Sequence, residues 1–329
     1  MKQAIYTIGK EDFSIWEKTN KNIEHIIITG STDFDGMEKF VKEFDYTKFH
    51  YITIEDVLVE DEVSTEGHHH TFVEEVKFAK TYADDPITPF EKMYVNTDVA
   101  KNFIVIGKDV FSFDKKTLIH LDEVSTELQL NADIERIGHC AFYGCSIKKV
   151  RLVNGLKSIG DSAFHGIEDL YEVILPDTLT DLGEGSFYCC DIENLTLSKN
   201  LKSIPWSCFA LNNLWQIDIP SSVKNIGYEA FLCNPMEKVV IPEGVECIEA
   251  SAFTPIGTIN LPSTLKEISS SFYYEWNIGE DDPAPYINIS EDNPIFYSID
   301  GSLYYRENNK LAIERKFDKC EFCKRWNNE

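Results

Sequence analysis

Short runs of alternating apolar and polar residues recur through the middle of the chain at a nearly constant interval. In one of them, Val173 and Leu175 fall on one side and Glu172 and Ile174 on the other, as successive residues of a strand must. The same frame returns as Val150/Leu152, Leu195/Leu197, Ile217/Ile219, Val239/Ile241 and Ile259/Leu261, and Pro176, Pro220, Pro242 and Pro262 close four of the runs. Ahead of each run stands an aliphatic residue, then a small residue followed by Phe. The phenylalanines are Phe142, Phe164, Phe187, Phe209, Phe231, Phe253 and Phe272, spaced 22, 23, 22, 22, 22 and 19 residues apart. Such a period predicts a solenoid whose coils bury one shared core by stacking. With strands ~4.8 Å apart, the coils would span about 35–40 Å. Recurrent proline excludes a helical period.

Each coil reads locally. Ile159-Gly160-Asp161-Ser162-Ala163-Phe164 predicts a short helical turn, with Asp161 or Ser162 capping its free N–H groups. The small residue before Phe (Ala141, Ala163, Ser186, Cys208, Ala230, Ala252, Ser271) allows close stacking of neighbouring coils. At these positions the chain resembles the BspA-type (Treponema pallidum-like) leucine-rich repeats, whose pattern is roughly I-G-x-x-A-F followed by L-x-x-I-x-[IL]-P. Ile137-Gly138-His139-Cys140-Ala141-Phe142 and Ile226-Gly227-Tyr228-Glu229-Ala230-Phe231 match it. The resemblance covers roughly residues 95–315. It implies a right-handed α/β repeat solenoid with a continuous parallel β-sheet, short helical turns and flanking β-hairpins. It also implies binding of proteins or cell-surface ligands, with no catalytic residues to carry over. The stretch from Ile268 to Phe272 is one residue short, and Tyr273-Tyr274-Glu275-Trp276 departs from the pattern, which predicts an insertion or capping coil there.

A second repeat flanks the first. Ile106-Gly107-Lys108-Asp109-Val110-Phe111 leading to Leu118 returns as Ile299-Asp300-Gly301-Ser302-Leu303-Tyr304 leading to Leu311 and Ile313, at an offset of 193. Both predict β-hairpins that brace exposed sheet ends. Nearer the N-terminus, Ile23–Ile28 predicts a strand. Met37, Phe40, Val41 and Phe44 share one helical face, and Tyr51–Ile54 alternates again. The expected organisation is a strand-helix-strand cap with an acidic loop (1–95), a hairpin module (96–122), the repeats (123–290), a hairpin cap (291–317) and a tail (318–329).

Register within the solenoid picks out a surface. Two outward rows stack from coil to coil: Gln129, Arg151, Ile174, Thr196, Asp218, Val240, Asn260 and Asn288 form one. The other is Glu127, Lys149, Glu172, Asn194, Gln216, Lys238, Thr258 and Tyr286. Ile174 and Val240 gain nothing from water, so the face is a candidate interface and equally an ordinary solvated sheet. A second candidate is the aromatic set Trp206, Trp215, Tyr228, Tyr273, Tyr274 and Trp276, which inter-coil packing also explains.

Charge and cysteine narrow the partners. A net charge of −25 argues against nucleic acid and anionic membranes and allows basic partners. No apolar run approaches ~18 residues, so no membrane insertion is expected. Met1-Lys2-Gln3-Ala4-Ile5 lacks a hydrophobic signal region, which predicts a cytoplasmic protein; a secreted or surface protein remains the alternative if a leader has been removed. Of nine cysteines, Cys145 and Cys190 share one slot and Cys189 and Cys233 another, two coils apart. That is roughly 10 Å, beyond the about 7 Å a disulfide spans, so reduced thiols are expected.

Other motifs are weak. Cys320-x-x-Cys323 lacks a second pair, and His68-His69-His70 lies in an acidic stretch. Asp33-Phe34-Asp35-Gly36 resembles a calcium loop but has Lys42 where a bidentate Glu belongs, so helix capping explains it better. The sequons at Asn194 and Asn288 place Leu195 and Ile289 on strands. No phosphate loop, nucleophile elbow or H-E-x-x-H occurs. The expectation is a non-enzymatic protein-binding module without cofactor or metal, its ligand a protein of basic or host-surface character. The alternative is a structural or self-associating repeat protein.

Overall fold

The computed structural model describes residues 1–59, 87–98, 100–122, 126–128, 130–253, 257–271 and 286–313. The chain forms two compact units: Met1–Val124 with Asn131–Cys145 and Ile159–Phe164, and Ser125–Leu130 with Ser146–Ser158 and His165–Glu329. The acidic stretch 60–85, Gln129, Tyr273, Tyr274, Trp276, the histidine run and the Cys320–Cys323 pair lie outside the described residues.

In the first unit, β1 (Gln3–Ile8), β2 (His25–Thr32) and β3 (Tyr51–Val59) pair in parallel, joined by α1 (Phe13–Thr19) and α2 (Phe34–Glu43). Each helix starts where a side chain takes up its free amides. Asp12 accepts from the Ser14 N–H of α1, and Asp33 from the Gly36 N–H of α2. Asp33 is thus a helix cap, as the sequence suggested. α3 (Pro89–Val95) opens with a reciprocal capping box between Thr88 and Glu91. Met37, Phe40 and Phe44 bury the predicted face of α2 against Tyr6, Phe13 and Phe90. The sequence reading missed β1 and α1. Exposed Ile5 obscures the alternation of β1, whose outer edge is closed by the Trp16 indole donating to the Ile5 carbonyl at 3.1 Å.

Beyond β3 an antiparallel meander follows: β4 (Asn102–Ile106), β5 (Asp109–Ser112) and β6 (Thr117–His120). β6 then pairs in parallel with Arg136–Ile137, the first repeat strand of this unit. The meander therefore lies inside the sheet, joining β3 on one side to a repeat strand on the other, and it has one strand more than the expected hairpin.

The second unit carries the coils. Strands Glu127–Leu128, Lys149–Arg151, Glu172–Ile174 and Asn194–Thr196 form one parallel ladder, and Lys238–Val240, Thr258–Leu261 and Tyr286–Ile289 another. A further ladder, not foreseen, joins the two-residue strands Ser203–Ile204, Asn225–Ile226, Cys247–Ile248 and Glu267–Ile268 at the opposite corner of each coil. The last described strands, Phe296–Ile299, Ser302–Tyr305 and Leu311–Ile313, make an antiparallel meander whose register shifts between Leu303 and Tyr304. That shift falls 193 residues after the one between Val110 and Phe111.

The core is a column of rings. Phe187, Phe209, Phe231 and Phe253 are buried and stack in sequence with centroids 5.4–5.6 Å apart. Two details of the fold differ from expectation. The sheet is parallel but not continuous, because Gln216-Ile217-Asp218 joins no strand between the two ladders. The turns before Phe are β-turns closed by bonds such as Cys208 N–H to the Pro205 carbonyl, not helical turns capped by side chains. The reason lies in the backbone. Two residues before Phe, Cys140, Ser162, Ser207, Glu229 and Ser251 have φ between 48° and 56°, a left-handed geometry that a right-handed helix cannot continue. The turn's amides are satisfied by the next coil instead. Phe187, Phe209 and Phe231 donate to the carbonyls of Cys208, Ala230 and Ala252 at 2.8–2.9 Å.

Candidate binding face

The constant period puts the outward residues in register. Lys149, Glu172 and Asn194 are direct cross-strand partners, as are Arg151, Ile174 and Thr196. In the second ladder Lys238, Thr258 and Tyr286 align, and so do Val240, Asn260 and Asn288. Both predicted rows therefore exist over these strands. Gln216 and Asp218 are exposed on the coil between the ladders, and Gln129 lies outside the described residues.

The two halves of the face have different chemistry. In the first, Arg151 and Lys149 converge on the Glu172 carboxylate at 3.1 and 3.5 Å, and Lys149 also lies 5.1 Å from the centre of the Tyr171 ring. The Arg151 hydrogen bond, with the Lys149 charge behind it, holds the Glu172 carboxyl below its usual range. Ile174 is half-buried beside this cluster. The second half is uncharged apart from Lys238. Asn288 donates to Asn260 at 3.0 Å, Val240 is 52% exposed and Tyr286 41%. Trp215, one residue before the interruption, is 61% exposed. Packing does not account for it, contrary to one of the two readings of the aromatic set. Trp206 and Tyr228 are also exposed, on the turns that precede Phe209 and Phe231.

Sequence reasoning overlooked Asn212 and Asn234. Three residues after Phe209 and Phe231, both are buried and bridge neighbouring coils by side-chain hydrogen bonds. Their slot is shared by Cys145 and Cys190, which was the available signal.

Elsewhere the reactive side chains serve structure. Seven described cysteines are free thiols. Burial pushes the Cys208 thiol up to about 12 and that of Cys190 higher still. In the first unit a depression of about 300 Å³ lies beside Tyr6, Lys10, Asp12, Lys39 and Glu43. Asp12 there caps α1 and pairs with Lys39 at 2.6 Å, which holds its carboxyl down at about 2. Among the described residues no cluster of His, Cys, Asp or Glu could hold a metal ion, and no helix is long and apolar enough to cross a membrane.

The BspA type leucine-rich repeat region family matches residues 135–256 and 226–282, in six copies. Several solved structures resemble the chain, three of them as follows. One is a leucine-rich repeat protein from Eubacterium ventriosum, at 16% identity over 64% of this chain and 49% of that one, TM-score 0.34. A second is the pneumococcal vaccine antigen PcpA, at 16% identity over 66% and 57%, TM-score 0.42. The third is a leucine-rich repeat protein from Bacteroides ovatus, at 22% identity over 45% and 52%, TM-score 0.28. The chain spans about half the length of the solved structures it matches. No curated protein matches it.

Proposed function

We propose that this protein is a non-enzymatic binding module whose parallel sheet face holds a protein ligand, a reading that the match of residues 135–282 to the BspA type leucine-rich repeat region supports. The observation that carries the reading is the second half of that face. Val240 and Tyr286 are exposed there beside the amides of Asn260 and Asn288, Trp215 is exposed on the coil between the halves, and the charges of the first half already pair with one another. Exposed apolar and aromatic groups with a satisfied polar surround have the composition of an interface centre and its rim. Adhesion and adaptor roles both use such a face. The free thiols of the seven described cysteines, three of them buried, favour a reducing compartment as its home, which thiol alkylation of the protein in its native cells would test.

Crosslinking pull-downs from the native source, comparing the wild type with an Ile174→Glu/Val240→Glu variant, test the face. The double variant is expected to lose the partner. Equal recovery by both proteins sinks the sheet-face reading. A stable homo-oligomer by light scattering, with no other partner recovered, would support self-association instead.

A further inference from the structure

The turns that precede Phe209 and Phe231 carry an aromatic pair in an acidic setting. Trp206 is 39% exposed and Tyr228 42%, and each stands three residues before its Phe. Their backbones are adjacent rungs of the inter-coil ladder, since the Ser207 N–H donates to the Tyr228 carbonyl at 2.9 Å. Two carboxylates flank the pair. Glu229, the next residue after Tyr228, accepts from the Ser207 hydroxyl at 3.2 Å. Glu249 accepts from the Tyr228 N–H at 2.9 Å. Neither forms an ion pair with a Lys or Arg among the described residues, so their charges are held in place by neutral donors only.

Aromatic faces beside fixed, uncompensated carboxylates suit one kind of guest. A Lys or Arg side chain can lay its cation over a ring and direct its N–H groups at the carboxylates. We propose that the Trp206–Tyr228 edge docks a basic segment of a partner protein. A chain of net charge −25 would also speed the approach of such a segment. This edge is distinct from the sheet face, and the substitutions that test each do not overlap.

The test uses the full chain and a fluorescein-labelled dodecapeptide of alternating Lys, Arg and Ser, read by anisotropy. In Trp206→Leu/Tyr228→Leu the apolar bulk stays and the π faces go. Glu229→Gln/Glu249→Gln keeps the shape and removes the charge. A Glu291→Gln/Asp292→Asn variant makes the same charge change on another exposed loop. Circular dichroism establishes that each is folded. The expected result is binding weakened about tenfold by each of the first two variants and unchanged by the third. No binding by the wild type overturns the proposal. So does equal loss in the third variant, which would mean attraction by the general acidic field. Wild-type affinity in the leucine variant overturns it as well, and so does an aromatic-dependent dimer that leaves peptide binding untouched.

Discussion

Asn234 repeats, one coil further on, the hydrogen bonds of Asn212. The Oδ1 of Asn212 accepts the Ile192 N–H at 2.9 Å while its Nδ2 donates to the Phe187 carbonyl at 2.8 Å. Asn234 makes the same pair with Leu214, at 3.1 Å, and Phe209, at 2.8 Å. Each amide thus ties the end of one turn to the coil before it. Replacing Asn234 with Ala leaves a buried N–H and a buried carbonyl unmatched, and should cost about 2–4 kcal/mol. Urea denaturation would measure it. A loss below about 0.5 kcal/mol would mean that water replaces the amide.

Phe209 lies between Phe187 and Phe231 in the ring column, 5.5 and 5.6 Å from its neighbours. Phe209→Ala should destabilise by about 3–5 kcal/mol, because both stacking faces and the buried volume are lost. Phe209→Leu should recover roughly half of that. Thermal melts of the two variants side by side would show the order, and a leucine variant that melts with the wild type would contradict a stacking contribution.

Acid sensitivity follows from two histidines. Burial pushes the imidazoles of His120 and His165 down from 6.5 to about 4. Between those values the unfolded chain binds protons that the folded chain refuses. Stability is therefore full above pH ~6.5, falls as pH drops through the window, and levels off below pH ~4. Each residue accounts for up to about 3 kcal/mol. His165 stacks on Tyr188 at 4.9 Å, so His165→Phe keeps the ring contact and removes one titration. Denaturation curves at pH 7.5 and 4.5 should show a smaller gap for the variant, and an unchanged gap would remove His165 from the account.

Gly160 and Gly166 should respond differently to substitution. A Cβ on Gly160 would stand 2.7 Å from the His139 amide nitrogen and 2.8 Å from the Gly138 carbonyl carbon, both rigid backbone. One on Gly166 meets nothing within 4 Å, although φ there is +71°. Gly160→Ala should therefore cost more than Gly166→Asn, whose residue tolerates the left-handed region. Reversed melting temperatures would show that the coils can separate to admit a methyl group.

Much of this molecule could be read from spacing alone. The ring column, the strand register and both outward rows follow from one period, and the paired meanders follow from their offset. The helical face of α2 and its Asp33 cap were equally plain. What escaped has a common cause. Left-handed positions announce themselves through glycine, yet Cys140, Ser162, Ser207, Glu229 and Ser251 hold them here, so the turns resembled helix starts. Asn212 and Asn234 looked like loop residues because buried amides and solvated ones are spelled alike. Gln216-Ile217-Asp218 has the alternation of its neighbours and still joins neither ladder. On the face itself, sequence gave Ile174 and Val240 equal standing. Only the fold distinguishes the half-buried isoleucine from the open valine.

The amides of the turns have one more consequence. Phe209 offers Ala230 the same donor that Phe231 offers Ala252, so a coil cannot tell which copy lies beyond it. Removing one whole period would leave every donor facing an acceptor and the rings still in line. The reach of the surface is thereby a matter of copy number, adjustable in steps of one strand spacing, while the chemistry displayed along it is written coil by coil.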